Sequence, residues 1–487
     1  MAAFTKLRVI PMPKEVCGVD NDGNFAIAKI QPKIYTDNEK FKKYAETFAE
    51  YAGRIHGADF EIACGGIEIY TDLGLAKGEY RIDCNENNVK IYACEDNGVT
   101  NALSTVLQLM CVDGECIDIP LVKISDKPDC EFRSLMVDLA RQWHPFETLF
   151  EYIDLCYLYK VKYLHLHFID TQSYTLPSDI FPGVSTEDRH YTKAQIAELN
   201  EYAHARNIEL IPEIEVPGHA AAMVNAYPEL FANTLEEKKG DEADPTAFKT
   251  NFKNNIICVG KPGIMDNLKK LVEEIIEMFP YSKYLHIGGD EAEINEWNYC
   301  TDCKKYMAEH GISTVRELYT HFTKLMTDMV LGLGRTPIVW EGFPKEGNEA
   351  ISRDVLVIAW ESYYHLAPDL VEEGFNIVNA SWVPMYIVPN RRWTPEEIMA
   401  WNVYNWQHWW PKSEARLNPI HLQPTKQVKG GLLCAWECTY EQDIQPVREN
   451  LAALAERTWN IRRYADNEQF REKLEYVLEM AKTLAVK

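Results

Sequence analysis

Two adjacent carboxylates, Asp290 and Glu291, close the stretch His286-Ile287-Gly288-Gly289-Asp290-Glu291. The apolar run 284–287 reads as a buried strand, and two glycines then release the backbone into a turn. Consecutive side chains of a regular strand point to opposite faces, so both carboxylates can serve one site only where the strand has ended. Crowded carboxyls do not both ionise freely. One of them keeps its proton to higher pH and can act as a general acid. Taken alone, the stretch reads equally well as a solvated Asp-Glu pair. Other polar and aromatic residues sit at comparable places: His165, His167 and Asp170; Glu213, Glu215 and His219; Trp340-Glu341; Trp360-Glu361; Trp382 and Tyr386; and Trp436-Glu437. Carboxylates accept hydrogen bonds from hydroxyls, and indole faces cover the apolar side of a sugar ring. Such a set, poor in lysine, suits an uncharged polyol.

Residues so far apart need a scaffold that gathers them. From Arg133 the chain repeats strand then helix, with strands over 134–139, 161–168, 208–214, 283–287, 337–340, 355–360, 375–380 and 431–436. Helical patterns cover 147–159, 193–206, 264–279, 314–331, 366–372 and 447–459. Buried strands separated by helices predict an α/β fold, a (β/α)8 TIM barrel, whose chemistry gathers beyond the strands' C-terminal ends. Arg133 opens the first strand. Residues 381–428 form a long Trp-rich insert, in which Trp401 and Trp406 read as core while Trp393 or the Trp409-Trp410 pair reads as a sugar wall. Residues 467–486 predict an amphipathic helix outside the barrel. Before the barrel, residues 1–128 read as a small α+β domain, with helices over 40–56 and 97–109 and strands over 67–71, 79–83 and 90–93. Residues 126–129 read as a linker, and the catalytic domain as 129–487.

A chain of 487 residues exceeds the usual single domain. A net charge of −24 argues against nucleic acid or an anionic membrane as partner. No apolar run is long enough to span a bilayer, and residues 1–13 lack the core of a signal peptide. The 13 cysteines are odd in number and without framework spacing. Cys94, Cys111, Cys258 and Cys434 lie in apolar runs, as small hydrophobes do, which suits a reducing compartment and a cytoplasmic location. Cys300-x-x-Cys303 has the spacing of one half of a zinc ribbon, but no second pair follows, so it reads as structural or incidental.

Four stretches in order, FRSLMVDLAR from Phe132, HLHFID from His165, IPEIEVPGHA from Ile211 and HIGGDE from His286, together resemble glycoside hydrolase family 20, the β-N-acetylhexosaminidases. The resemblance covers residues 130–462, and the leading domain fits the small domain that precedes this family's barrel. It implies removal of a terminal β-linked N-acetylhexosamine (GlcNAc or GalNAc) from an oligosaccharide or glycoconjugate by retaining, substrate-assisted catalysis. The substrate's own acetamido oxygen attacks the anomeric carbon to give an oxazolinium, so no carboxylate nucleophile is needed. Position by position it makes Glu291 the acid, Asp290 the group that orients the acetamido, and Tyr386 its hydrogen-bond donor. Arg133 would hold hydroxyls; Trp340, Trp360, Trp382 and Trp436 would wall the sugar; and Glu215 and His219 would support the acid. Neither a metal nor a cofactor is expected in the reaction, and a homodimer stays open. Three departures concern the 4- and 6-hydroxyls: Thr171-Gln172-Ser173-Tyr174-Thr175 follow Asp170 in place of Asp-Gln-Gly-Trp-Arg, Val388 replaces an Asp, and Glu437 directly follows Trp436. A disaccharide-releasing enzyme of the lacto-N-biosidase kind is therefore the alternative. Less favoured are a metal-dependent barrel hydrolase using His165, His167, His219, His286 and Asp290, and a non-catalytic sugar-binding barrel.

Overall fold

Eight parallel strands close on themselves in the computed structural model, which describes residues 7–18, 23–235, 255–462 and 466–485. The reading of residues 1–13 and the end of the predicted tail helix fall partly outside the described residues. The strands are β1 Phe132–Asp138, β2 Tyr163–His167, β3 Glu209–Glu213, β4 Tyr284–His286, β5 Thr336–Trp340, β6 Leu356–Ala359, β7 Asn376–Asn379 and β8 Val428–Ala435. Ser134 pairs with Tyr163 on one side and Leu432 on the other, which closes the ring. Nearly every strand residue is buried, as expected where side chains fill the barrel on one face and meet helices on the other.

The covering helices are α1 Leu149–Leu158, α2 Lys193–Ala205, α3 Ile264–Met278, α4 Thr301–His310, α5 Val315–Gly332, α6 Ala367–Glu372 and α7 Tyr440–Trp459. In α3, Leu268, Leu271, Val272 and Ile275 fall on one stripe and are buried. Helix α4, absent from the sequence reading, starts at Cys300 as N-cap and ends at Gly311 in the left-handed region.

The insert folds back onto the barrel. Its Tyr386–Ile387 strand pairs with Cys434–Ala435 of β8, which fixes Tyr386 at the rim. Thr394 caps the short helix Pro395–Ala400 with a reciprocal Glu397 bond. Trp401 and Trp406 are buried core, as expected.

The leading domain is a seven-stranded sheet with helices Lys42–His56 and Asp96–Leu109. Residues 126–129 are no loose linker. Asp126 ends a strand and is buried, accepting from Tyr80 Oη at 2.7 Å and from Trp459 Nε1 of α7 at 3.0 Å. Gln108 Nε2 donates to the Leu158 carbonyl at 2.8 Å, and Tyr51 Oη to Asp154 at 2.6 Å. Helix α8, Asn467–Thr483, buries Phe470, Leu474, Val477 and Met480 and packs on α7 and on helix Lys42–His56. Among the described residues no helix is long and apolar enough to cross a membrane.

Candidate active site

Strand β4 ends at His286, and Gly288 (φ 68°) and Gly289 (φ 93°) turn the chain through conformations that favour glycine. A Cβ on Gly288 would stand 1.9 Å from Glu215 Oε2, so the missing side chain is what lets that buried carboxyl lie beneath the turn. Glu291 follows at φ 45°, and His219, beyond β3, at φ 51°. Both non-glycine residues hold a strained backbone where their side chains meet.

Under the turn Glu213 is a hub. It accepts from His165 Nε2 at 2.9 Å, His167 Nδ1 at 2.5 Å and Trp340 Nε1 at 2.6 Å, and His286 Nδ1 lies at 2.9 Å. The chain of contacts continues outward. His167 Nε2 reaches Asp170 Oδ2 at 3.2 Å, Asp170 Oδ1 lies 3.3 Å from His219 Nδ1, and His219 Nε2 faces Glu291 at 3.6 Å and Asp290 at 3.9 Å.

This arrangement sorts the carboxyls. Burial alone would raise Asp170, but His219 and Arg141 hold it well below the usual range. Burial would likewise raise Glu213, yet the three histidines keep it ionised. Glu215, buried beside Asp290 and Glu213, is pushed well up. Asp290 rises to about 6, chiefly by burial and with Glu291 adding, against the opposing pull of His219. Glu291 goes the other way: the His219 hydrogen bond lowers it. The expected order, with Glu291 raised, is thus reversed here, because a histidine from another strand reaches Glu291.

Asp290 and Glu291 open onto a cavity of about 170 Å³, also lined by Arg141, Trp340, Trp360, Trp382, Tyr386, Val388, Trp436 and Glu437. Trp360 and Tyr386 lie parallel within 3°, their ring centroids 6.3 Å apart. Trp382 meets Tyr386 at 5.2 Å and Trp409 at 5.1 Å, so Trp409 stands at the rim.

Four residues depart from the sequence expectations. Arg133 lies at the N-terminal end of β1, the far end of the barrel, where it is buried, donates to the Lys160 and Cys130 carbonyls and sits over Trp459. The arginine in the cavity is Arg141, at the C-terminal exit of the same strand. Its guanidinium lies 2.7 Å from Asp170 and 3.3 Å from Asp138, and over Trp436. Trp393 does not line the cavity; its carbonyl accepts from Asn450 of α7, against which it is half-buried. Trp410 turns toward Tyr363 and Lys412. Glu341, read as a rim carboxylate, is fully buried and accepts the backbone N–H groups of Trp360, Ser362, Tyr363 and His365, which holds the loop after β6. Among possible metal ligands, His165, Glu213 and His286 converge, as do His219, Asp290 and Glu291. The residues of the metal-dependent alternative are therefore split between two places, and in the first each histidine faces Glu213.

The profile of the glycosyl hydrolase family 20 catalytic domain matches residues 130–462, and that of family 20 domain 2 matches residues 6–127. The chain belongs to glycosyl hydrolase family 20. The Beta-hexosaminidase of Vibrio furnissii is 27% identical over 361 residues, 69% of this chain and 57% of that protein, so the chain spans little more than half of that relative's length. Two solved structures share the fold. The beta-N-acetylhexosaminidase of Bacteroides fragilis has a TM-score of 0.82 at 21% identity, covering 99% of this chain and 96% of that one. The exo beta-N-acetylglucosaminidase of Vibrio harveyi, solved with N-acetylglucosamine, has a TM-score of 0.80 at 22% identity, covering 98% and 77%.

Proposed function

We propose that this family 20 protein is a retaining β-N-acetylhexosaminidase that removes terminal N-acetylhexosamine from oligosaccharides or glycoconjugates by substrate-assisted catalysis. The observation that carries the reading is the adjacent pair Asp290 and Glu291 opening into a cavity walled by Trp340, Trp360, Trp436 and Tyr386. In this reading Glu291, half exposed at the mouth, gives its proton to the glycosidic oxygen. Asp290 and Tyr386 grip the substrate's acetamido group, whose oxygen attacks the anomeric carbon as the protonated aglycone departs, closing an oxazolinium ring. Trp340, Trp360 and Trp436 exclude water and cover the sugar's apolar face. Arg141 takes the hydroxyl-binding role that the resemblance implied for Arg133. Asp170 and His219 act through Glu291, holding it in place at His219 Nε2, and when water opens the ring Glu291 takes that water's proton and is restored as the acid. Glu437, exposed at the end of β8, faces the sugar's outer hydroxyls.

Turnover of nitrophenyl glycosides tests this. The β-GlcNAc or β-GalNAc substrate should be cleaved while β-glucoside and β-galactoside stay inert, and a thiazoline mimic of the oxazolinium should bind far more tightly than product. Efficient cleavage of a glucoside, or a sugar trapped covalently on Asp290, would refute the mechanism. A lacto-N-biose substrate cleaved in preference to the monosaccharides would move the chain to the disaccharide-releasing class.

A further inference from the structure

Three buried cysteines from two separate loops meet beside the catalytic face. Cys300 is the N-cap of α4 and Cys303 lies in that helix's first turn. Cys258 comes from the loop after β3, 42 residues earlier in the chain. Its sulfur lies 3.4 Å from Cys300 Sγ and 3.6 Å from Cys303 Sγ, all three ligand atoms lie within 4.8 Å of one another, and none of the three residues is exposed to solvent. The packing that permits this is specific. A Cβ on Gly260 would stand 2.5 Å from the Asp302 carbonyl oxygen and 2.6 Å from Cys303 Cα, so only glycine lets the Cys258 loop rest on the first turn of α4.

We propose that Cys258, Cys300 and Cys303 bind a structural zinc ion that clamps the loop carrying His219 to the loop carrying Asp290 and Glu291. Zinc holds thiolates at ~2.3 Å, so two sulfurs on one tetrahedral ion stand ~3.8 Å apart. The observed separations are near that edge and far from the ~2.05 Å of a disulfide. The surroundings suit thiolates. Cys300 caps the N-terminus of α4 and Cys303 lies in its first turn, where the helix dipole favours negative charge. Asn233 Oδ1 lies 3.9 Å from Cys303 Sγ, held there while its Nδ2 donates to Ile256, and can approach the fourth position directly or through water. Three soft sulfurs select zinc over the hard cations magnesium and calcium. Binding displaces the thiol protons to solvent and changes no oxidation state.

The clamp reaches the chemistry through backbone bonds. Ile257 N–H donates to the Pro217 carbonyl, and Trp297 Nε1 donates to the Ile257 carbonyl. Asn255 accepts from Ala220 N–H and from Thr171 Oγ1, which in turn lies 3.3 Å from His219 Nδ1. The metal is remote from the sugar and takes no part in bond breaking, so this inference stands or falls apart from the glycosidase reading.

The test uses the full chain purified under reductant in metal-free buffer. Mass spectrometry should find about one zinc per chain after incubation with Zn²⁺ and removal of excess, in wild type and in the control Cys116→Ser, and none in Cys300→Ser. Substitution with Co²⁺ should give the intense thiolate-to-cobalt charge-transfer band. Stripping with a chelator should lower the thermal midpoint, which Zn²⁺ and not Mg²⁺ should restore. If Cys300→Ser does not fold, the Co²⁺ spectrum of wild type still decides. Substoichiometric zinc with no cobalt–thiolate band would overturn the proposal, as would a Cys258 disulfide to Cys300 or Cys303 found in the reduced preparation.

Discussion

Replacing Gly288 by alanine separates two effects that the neighbouring Gly289 lets one tell apart. Both glycines hold positive φ, 68° and 93°, so an alanine at either pays a left-handed backbone cost of ~1–2 kcal/mol. At Gly289 the new methyl finds its nearest neighbour at 3.6 Å, the Tyr319 hydroxyl, which is ordinary contact. At Gly288 it would stand 1.9 Å from Glu215 Oε2 and 2.3 Å from Cδ. That carboxyl has no free side to swing into, because Glu215 is wholly buried with Asp290 and Glu213 beside it. Overpacking of this kind adds ~1–3 kcal/mol. Gly288→Ala should therefore lie ~1–3 kcal/mol below Gly289→Ala in stability, at roughly 2–4 °C of thermal midpoint per kcal/mol or less for so long a chain. It should also lose more kcat/KM, since Glu215 is driven toward Asp290. Scanning fluorimetry and nitrophenyl-glycoside kinetics on both variants measure the difference. Glu215→Ala introduced into Gly288→Ala should recover part of the loss, a favourable coupling between the two sites. Equal thermal midpoints for the two alanine variants, with strictly additive double-mutant behaviour, would refute the packing argument.

The two arginines should part company: Arg141→Lys should cut kcat/KM with little change in thermal midpoint, whereas Arg133→Lys should lower the midpoint and spare kinetics. The reverse pattern would return Arg133 to the site. Asp290, at about 6 when folded against ~3.9 unfolded, stabilises the chain fully below that unfolded value and loses the contribution as pH rises through about 6. Asp290→Asn should then gain on wild type between pH ~4 and 6, by up to ~3 kcal/mol, and level off above. A gain independent of pH would show that Asp290 does not carry the shift. Glu291→Gln should fold normally and lose ~10²–10⁴-fold on natural aglycones, with a smaller loss on nitrophenyl leaving groups. Equal losses on both would remove Glu291 as the acid.

What could be read in the sequence followed from periodicity. Eight buried apolar runs separated by helical stripes are legible because each residue's environment repeats along the chain, and the barrel strands lie close to their expected bounds. The arginine error was avoidable. Arg133 lies at the start of β1 and Arg141 just beyond its end, and the rule that chemistry gathers past C-terminal ends selects Arg141. Other features depend on distant partners and leave no local trace. Glu341, Glu361 and Glu437 each follow a tryptophan, yet only Glu341 is consumed by four backbone N–H groups. The direction of the Glu291 shift turns on His219, and Cys258 joins Cys300 and Cys303 only through folding. Trp382 at the cavity and Trp393 on α7 are equally aromatic and equally part of the insert. Composition cannot rank them.

His219, Glu291, Ser362 and Glu437 follow β3, β4, β6 and β8, and all hold φ between 45° and 59°. A glycine at any of them would relieve ~1 kcal/mol or more of backbone strain at once. Laboratory evolution that rewards heat resistance alone would therefore drift toward glycine at these exits. The survivors would be sturdier barrels, with His219 and Glu291 among the first side chains bred away.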